Sequence, residues 1–449
     1  MKRTNFGQWG VILATAGSAV GLGNIWRFPY MTGQNGGAAF ILVYIFCVFI
    51  LGIPGMVAEF IVGRNGAANA ARSYQRIGHR RAWGIIGYMG VFTSTVILGF
   101  YAVVAGWCLQ YLYASIAGQL KGDAAFIAQS FHSFSSHPVQ PVCYAAAFLG
   151  ITHFVIVRGV RNGIERASNL LMPLLLLLLV VIVVAACLLP GAGAGIRFLF
   201  MPDFSKFNAD VFIDALGQAF FSLSLGTACL CTYASYFSRQ TRLFRSATQI
   251  ALIDCIIAVF AGLMIFPAAA SVGVSPDSGP SLVFITLPNV FQQAFSAVPA
   301  VGYLISILFY ALLALAALTS TISMHEIGTV FFSEEFRLPR KRAALVVTTV
   351  CVVIAALCSL SVGAVPSLQL MGVSIMDFCD KLTANFLLPT GAFLTCILIG
   401  WFVPSKVVKD QFTNWGTTSR RIYVCWLWLV RLVCPLAILA IFFDQLGVM

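Results

Sequence analysis

Eleven long apolar runs follow one another along this chain, and they restrict its possible folds more than any other feature. A helix that crosses a bilayer needs about 20 apolar residues. A soluble domain carries about 25% charged residues, whereas this chain has 9% charged and 60% hydrophobic residues. The sequence therefore predicts an all-α polytopic membrane protein. We number the runs TM1 to TM11: 7–31, 40–62, 83–116, 142–157, 170–189, 211–237, 248–272, 300–332, 343–360, 371–402 and 422–443.

Basic residues alternate strictly between the two sides of the predicted membrane. The N-terminus and the loops after even-numbered segments hold nearly all of them, whereas the opposite loops hold only Lys121, Arg197 and Lys206. We expect the chain to lie in the cell (inner) membrane. The positive-inside rule then places the N-terminus in the cytoplasm and, with eleven crossings, the C-terminus on the outer side. The net charge of +12 is thus a topology signal, and we expect no nucleic-acid partner.

The 13 cysteines are scattered, and only Cys229 and Cys231 are close in sequence. No spacing is typical of a zinc or redox motif, so we interpret them as small apolar packing residues. Residues 1–3 are basic, but the following run contains Asn24 and Arg27 and no small-residue cleavage pattern. We therefore expect no cleavable signal peptide.

TM1 is interrupted in its middle by residues 17–29, which read GSAVGLGNIWRFP. Glycine weakens a helix interior, and polar or charged side chains are costly in hydrocarbon. A spanning helix tolerates such a stretch only where its backbone lines a cavity or is buried in protein. The interruption therefore predicts a solute-binding site about halfway across the membrane.

TM6 carries a similar interruption at Ser222, Ser224, Gly226 and Thr227. Breaks in the first and sixth segments are what two five-helix repeats would give, and an odd number of helices per repeat makes the second copy inverted. We predict a first repeat over 1–190, a second over 191–403, and a cytoplasmic loop with TM11 over 404–449. Broken helices expose N–H groups that suit a carboxylate and carbonyls that suit Na⁺.

Residues 17–29 and 220–236 resemble the signatures of the neurotransmitter:sodium symporter family, in its bacterial, leucine-transporter-like branch. Residues 163–165 with 172–173, 279–288 and 318–321 match further motifs of that family. The resemblance covers nearly the whole chain and implies two inverted five-helix repeats plus TM11. It also implies Na⁺-coupled import of an amino acid by alternating access.

The resemblance implies two Na⁺ sites. The first would combine the Ala19 carbonyl, the side chains of Asn24, Ser222 and Asp254, and the carboxylate of the substrate. The second would combine the carbonyls of Gly17, Val20 and Ala316 with the hydroxyls of Thr319 and Ser320. Helix–helix packing is the alternative role for these two hydroxyl residues.

Asp254 departs from the asparagine that several family members carry. Chloride-independent members can place a glutamate one helical turn later, where this chain has Ala258. We hypothesise that Asp254 supplies the fixed negative charge and that no chloride is required. The alternative is a buried aspartate paired only with a hydroxyl.

The implied substrate site contains a tyrosine for the carboxylate, Tyr101, and an aromatic lid, Phe221. Gly21 stands where monoamine transporters of the family carry an aspartate, which favours a neutral α-amino acid. Small Thr227 and adaptable Met324 predict room for a large hydrophobic or aromatic side chain; another small amino acid or amino-acid-like solute is the alternative. The full predicted set is Ala19, Leu22, Gly23, Ile97, Tyr101, Phe221, Ser224, Thr227, Ser320 and Met324.

Two gates follow from the same resemblance. Arg27 would pair with Asp380 outside the substrate, and Arg3 would pair with Glu334 near Tyr236 on the inside. A structural ion pair is the alternative for the outer pair. Phe6 stands where the family has a tryptophan, and the spacing to the TM1 break is one residue shorter. The sequence therefore does not decide which residues form the inner gate.

Three other functional classes fit less well. An ion channel predicts repeated filter sequences or many pore charges, a pump predicts a nucleotide-binding loop, and the chain shows none of these patterns. An enzyme would need a nucleophile, metal cluster or paired carboxylates, whereas His153, His325 and Glu59 are isolated in the sequence. We therefore predict no enzyme activity. The expected partners are an amino acid and the lipid bilayer, with no obligatory protein partner.

Overall fold

The computed structural model describes residues 8–120, 122, 124–273, 283–365 and 367–445. Within that part of the chain, nine helices are long and apolar enough to cross a membrane. Several begin before the apolar runs because their first turn is polar and adds little hydropathy. They are TM2 Ala38–Gly66, TM3 Arg81–Ile116, TM4 Gln140–Val157, TM5 Asn162–Cys187, TM7 Leu243–Ser271, TM8 Pro299–Glu335, TM9 Arg340–Ala364, TM10 Ile375–Phe402 and TM11 Arg420–Phe443.

The two remaining segments are split, as the sequence predicts. In TM1, the α-helix Gln8–Ala19 ends at the glycines and is followed by a π-helical turn, Gly23–Arg27, and by the α-helix Phe28–Gln34. In TM6, the helices Ala209–Ser222 and Cys229–Ala234 flank a non-helical stretch. That stretch has positive φ angles of 54° at Ser224, 80° at Gly226 and 61° at Ala228. A right-handed helix cannot continue through such residues.

Short elements connect the segments. The sequence places the start of TM10 at 371, which is wrong: Met371 and Gly372 have φ angles of 53° and 81° and form a hairpin turn. The short helices are Ala70–Gly78, Ala124–Ser135, Ala192–Phe200, Thr286–Ala294 and Ser405–Thr413, with 3-10 turns at Arg81–Trp83 and Phe204–Lys206. The two strands are Gln369–Leu370 and Val373–Ser374. Further π-helical turns lie within the spanning helices or at the start of TM5: Val48–Gly52, Val160–Glu165, Leu360–Ala364, Leu382–Leu387, Leu398–Phe402 and Leu429–Val433.

TM3 lies at the centre of the helix bundle. In the most apolar 18-residue stretch of TM3, 89% of the residues are buried within the protein. The corresponding share is 33% in TM4, TM5 and TM11, which face outward. TM3 packs along TM8, TM4 and TM9. A Cβ added at Gly90 would lie 2.5 Å from the Ala228 Cβ, so TM3 crosses the TM6 break at van der Waals contact. Small residues permit such close helix approach in membranes.

Candidate functional site

The TM6 break is held open by side chains of neighbouring helices. Glu59 of TM2 accepts a hydrogen bond from the Gly226 N–H at 2.7 Å, and Ser94 of TM3 donates to the Thr227 carbonyl at 2.6 Å. Both side chains are buried. They replace backbone hydrogen bonds that the interrupted helix cannot make. Sequence analysis found no carboxylate partner for Glu59; a lone carboxylate inside the apolar run of TM2 was the only available signal.

Asn24, Ser222 and Asp254 form one buried cluster where TM1, TM6 and TM7 meet. Asn24 Nδ2 donates to Asp254 Oδ1 at 2.7 Å. Ser222 Oγ lies 2.9 and 2.8 Å from the two carboxylate oxygens. These three side chains are at most 2% exposed. The carboxylate and its neighbouring oxygens offer the hard ligands that an alkali cation requires.

Tyr44 of TM2 completes this cluster, and sequence analysis missed it. Its hydroxyl donates to Asp254 Oδ2 at 2.7 Å and lies 3.3 Å from Ser222 Oγ. The Asp254 carboxylate is therefore surrounded by neutral donors from three helices. A tyrosine hydroxyl inside an apolar run was the available signal, because a buried Tyr O–H usually finds a partner.

The second predicted ion site is also brought together. Thr319 Oγ1 donates to the carbonyls of Val20 and Ala316 at 3.2 and 2.9 Å, and Ser320 Oγ lies 3.5 Å from the Val20 carbonyl oxygen. A Cβ added at Gly17 would lie 3.5 Å from the Thr319 Cβ. The five predicted residues thus share one contact region between TM1 and TM8.

A cavity of about 50 Å³ lies between the two breaks. Nine of the ten predicted substrate residues line it. Leu22 does not, and Ser18, Gly21, Ser222, Cys229 and Leu388 are additional lining residues. Cys229 Sγ lies 2.8 Å from Ser18 Oγ, so this thiol faces the cavity. The cavity lining is Ser18, Ala19, Gly21, Gly23, Ile97, Tyr101, Phe221, Ser222, Ser224, Thr227, Cys229, Ser320, Met324 and Leu388.

One end of the cavity is polar and tightly enclosed. The Leu22 N–H donates to the Tyr101 hydroxyl oxygen at 3.0 Å, and the Ser320 side chain also lies beside this hydroxyl. A Cβ added at Gly21 would lie 3.0 Å from the Tyr101 hydroxyl and would overlap Ser320 Oγ. Any side chain at this position would therefore fill the polar end, so glycine keeps it open.

Arg27 lies over the ring of Phe221, one of the residues that line the cavity. Its guanidinium carbon lies 4.4 Å from the centroid of the Phe221 ring, a cation–π contact. Asp380 and Asp214 both attract Arg27 electrostatically, but among the ion pairs of the described residues none within 4 Å joins Arg27 to Asp380. In this conformation the predicted outer gate is a longer-range attraction.

The predicted inner gate at the opposite end stays a prediction. Arg3 lies outside the described residues. Glu334 accepts from the Asn69 N–H at 2.6 Å, whereas the Tyr236 hydroxyl donates to Glu326 at 2.7 Å. Sequence analysis predicts only that Glu334 lies near Tyr236; Glu326, the carboxylate that Tyr236 contacts, lies two helical turns nearer the cavity.

Glu326 also forms a buried ion pair with Arg340 at the start of TM9. The two guanidinium contacts measure 3.0 and 2.5 Å, and the Glu326 side chain is fully buried. Bidentate geometry of this kind is strong and directional. Sequence analysis missed the pair because its partners lie on different helices.

His153 and His325 are not isolated in the structure. Both rings contact the Thr348 hydroxyl at 2.8 Å, so hydrogen bonding at the TM4–TM8–TM9 interface accounts for both histidines. No group of three or more His, Cys, Asp or Glu side chains converges among the described residues.

A sequence model of the sodium:neurotransmitter symporter family matches residues 3–137 and 127–449. The chain belongs to this family. It is similar to the uncharacterized sodium-dependent transporter YhdH of Bacillus subtilis (strain 168), with 37% identity covering 98% of each chain. An uncharacterized sodium-dependent transporter of Haemophilus influenzae is 33% identical, covering 97% of this chain and 96% of that protein.

The fold also matches a solved symporter-family structure. The crystal structure of MhsT in complex with L-phenylalanine superimposes with a TM-score of 0.91 and 37% identity over 100% of both chains. The predicted all-α polytopic fold with broken TM1 and TM6 is thereby confirmed. The family consists of transporters, so this chain is a multi-pass, sodium-dependent membrane transporter and not an enzyme.

Proposed function

We propose that this symporter couples Na⁺ entry to the import of a neutral α-amino acid with a large hydrophobic or aromatic side chain. The observation that carries the proposal is the asymmetry of the central cavity. Its polar end holds the Tyr101 hydroxyl and the TM1 break, whereas Ile97, Met324 and Leu388 supply apolar surface. An α-amino acid has the same division between a charged head and a side chain.

The substrate carboxylate would bind at the polar end. The Tyr101 O–H donates to it, and the absence of a side chain at Gly21 leaves space for it. The same carboxylate lies within reach of the Asn24–Ser222–Asp254 cluster because Ser222 belongs to both groups. Substrate and the first Na⁺ would therefore stabilise each other, which is the physical basis of coupling.

Two Na⁺ ions would bind. The Ala19 carbonyl, Asn24, Ser222 and Asp254 hold the first ion. The hydroxyls of Thr319 and Ser320 would hold the second ion together with the carbonyls of Gly17, Val20 and Ala316. These hydroxyls lie beside the carbonyls, and each can rotate to offer its lone pairs to an ion.

Chloride would not be required. Tyr44, Ser222 and Asn24 already direct their donors toward the Asp254 carboxylate, which supplies a fixed negative charge at this point. Ala258, one turn later on TM7, carries no donor or acceptor in its side chain. Replacing chloride by gluconate should leave the uptake rate unchanged.

Cavity size favours a second candidate, a small amino acid or amino-acid-like solute. The cavity measures about 50 Å³, whereas an apolar cavity of about 150 Å³ accommodates benzene. A phenyl side chain would require Met324 or Phe221 to move, and methionine has the rotamer freedom to do so. The full-length similarity to MhsT, whose structure contains L-phenylalanine, supports the larger substrate.

Alternating access would move the broken helices between the two gates. Arg27 and Asp380 close the outer side over Phe221, and Arg3 with Glu334 closes the inner side beside Tyr236. TM1 belongs to the first five-helix repeat, residues 1–190, and TM6 belongs to the second, inverted repeat, residues 191–403. Residues 404–449 form the cytoplasmic loop and TM11. The basic loops after even-numbered segments support a cytoplasmic N-terminus and an outer C-terminus in the cell (inner) membrane.

Uptake into proteoliposomes tests this function. Labelled L-phenylalanine, alanine and glycine are offered with an inward Na⁺ gradient and, in parallel, with K⁺ replacing Na⁺. We expect phenylalanine accumulation only with Na⁺. Preferential uptake of alanine or glycine would select the smaller substrate, and uptake independent of Na⁺ would contradict the symport mechanism.

A further inference from the structure

Seven exposed basic side chains gather on one end of the molecule. They come from the TM6–TM7 connection, residues 238–245, and from the TM10–TM11 connection, residues 404–421, which we together call the basic platform. Asp410 is the only acidic residue in either segment. The basic residues are Arg239, Arg242, Arg245, Lys406, Lys409, Arg420 and Arg421.

Arg64, at the end of TM2, fastens the two segments together. Its guanidinium donates to the Thr241 carbonyl at 2.6 Å, and to the side chain and carbonyl of Gln411 at 2.7 and 2.6 Å. The rings of Phe244 and Phe412 pack beside this brace with centroids 5.6 Å apart. Topology selection depends on how many basic residues each loop holds, and it does not require distant loops to converge.

A strained turn presents an indole at the centre of the platform. Asn414, Trp415 and Gly416 have successive φ angles of 49°, 56° and 99°, although non-glycine residues rarely adopt positive φ. The backbone N–H of Trp415 donates to the Asp410 carbonyl at 2.9 Å. The Trp415 side chain nevertheless stays 49% exposed. Strain that leaves a large aromatic group in solvent points to a function.

Guanidinium groups flank this indole. The Arg64 and Arg239 guanidinium carbons lie 5.3 and 5.7 Å from its ring centroid. Tryptophan beside basic residues is typical of the headgroup layer, where its amphipathic ring and the cations both find partners.

The platform lies at the level of the membrane boundary. Arg242 directly precedes TM7, and Arg420 is the first residue of TM11. Trp401 and Phe402, at the end of TM10, are each 57% exposed. Helix Ser405–Thr413 packs Val408 and Phe412 into the protein and leaves its lysines exposed.

We propose that the basic platform binds the phosphate headgroups of anionic phospholipids, with Trp415 inserted in the headgroup layer. Clusters of four to eight basic residues beside a spanning helix attract anionic lipid. The proposed orientation places these lipids in the cytoplasmic leaflet, and only this choice of leaflet rests on the proposed function. Lipid binding itself depends neither on that orientation nor on the transported substrate.

Native mass spectrometry of the full-length protein in uncharged detergent tests the proposal, with phosphatidylglycerol and phosphatidylcholine as probes. The test variant carries Arg239→Gln, Arg242→Gln, Lys406→Gln and Lys409→Gln. The matched control carries four substitutions of exposed basic residues at the starts of TM3 and TM9, outside the platform: Arg80→Gln, Arg81→Gln, Lys341→Gln and Arg342→Gln. Inorganic phosphate is added as a competitor in a separate arm.

We expect the unmodified protein and the control to bind phosphatidylglycerol at least about tenfold more tightly than phosphatidylcholine, and the test variant to lose that preference. Inorganic phosphate should not compete, because the platform recognises a lipid at an interface. Equal affinity for both lipids, equal loss in the control, or displacement by phosphate would overturn the proposal. Thermal unfolding checks the fold, and the pair Lys406→Gln with Lys409→Gln gives the milder variant. Amino-acid uptake plays no part in the readout.

Discussion

Asp254→Asn is the substitution that probes the proposed ion site most directly. The carboxylate is fully buried and accepts short contacts of 2.7 Å from both Asn24 and Tyr44. In the variant, the amide oxygen can remain beside Asn24 Nδ2 while the amide NH₂ faces the Tyr44 hydroxyl, which can accept. The fold should therefore survive, because every polar atom keeps a partner.

Na⁺ binding should not survive equally well, since the ion loses its charged protein ligand. Interactions with a charged group contribute about 1.5–3 kcal/mol beyond the solvated reference. A loss of about 2 kcal/mol raises the Na⁺ concentration for half-maximal substrate binding about 30-fold. The coupling between the sites should also weaken apparent amino-acid affinity at fixed Na⁺.

The assay is a Na⁺ titration of labelled amino-acid binding to purified protein at constant ionic strength. Asp210→Asn is the matched control, because it is the same substitution at an exposed position near the start of TM6. Thermal unfolding reports whether each variant is folded. A folded Asp254→Asn protein with an unchanged Na⁺ midpoint would refute the assignment of Asp254 as an ion ligand.

Three further substitutions have defined outcomes. Tyr101→Phe should weaken amino-acid binding about 30-fold by removing about 2 kcal/mol of carboxylate hydrogen bonding, which a competition assay measures. Glu326→Gln leaves the Arg340 guanidinium, whose side chain is 23% exposed, without its carboxylate and should cost about 3 kcal/mol of stability. Glu335→Gln breaks a more exposed pair worth under about 1 kcal/mol; equal falls in unfolding temperature would contradict this. Gly226→Ala forces a Cβ into a TM10 carbonyl at φ of 80°, so uptake should be lost, while Gly217→Ala, with open space around its Cβ, should transport normally.

The hydropathy and glycine content of short stretches of sequence were enough to predict much of the fold. The nine unbroken helices and the breaks in TM1 and TM6 agree with the apolar runs and their interruptions. Hydropathy and glycine content act on the local backbone, so neighbouring residues carry that information. The same limitation explains the error at TM10: Met371 is apolar, yet it is 89% exposed in a hairpin turn.

Much of the candidate site was also accessible, through motifs that the chain shares with its family. Nine of ten predicted substrate residues line the cavity, and both predicted ion-ligand sets converge. Their binding roles stay predictions until the titrations and uptake measurements are made. Arg3 and the inner gate depend on residues outside the described structure.

The sequence by itself determined the number of membrane segments, the places where helices break and the alternation of basic loops. Only tertiary structure decided which side chains complete the site. Tyr44 reaches Asp254, Glu59 reaches Gly226, and Arg64 joins two distant loops. These contacts depend on how whole helices cross and rotate against each other. Hydropathy fixes which segments enter the membrane, whereas packing and hydrogen-bond geometry fix which of their faces meet.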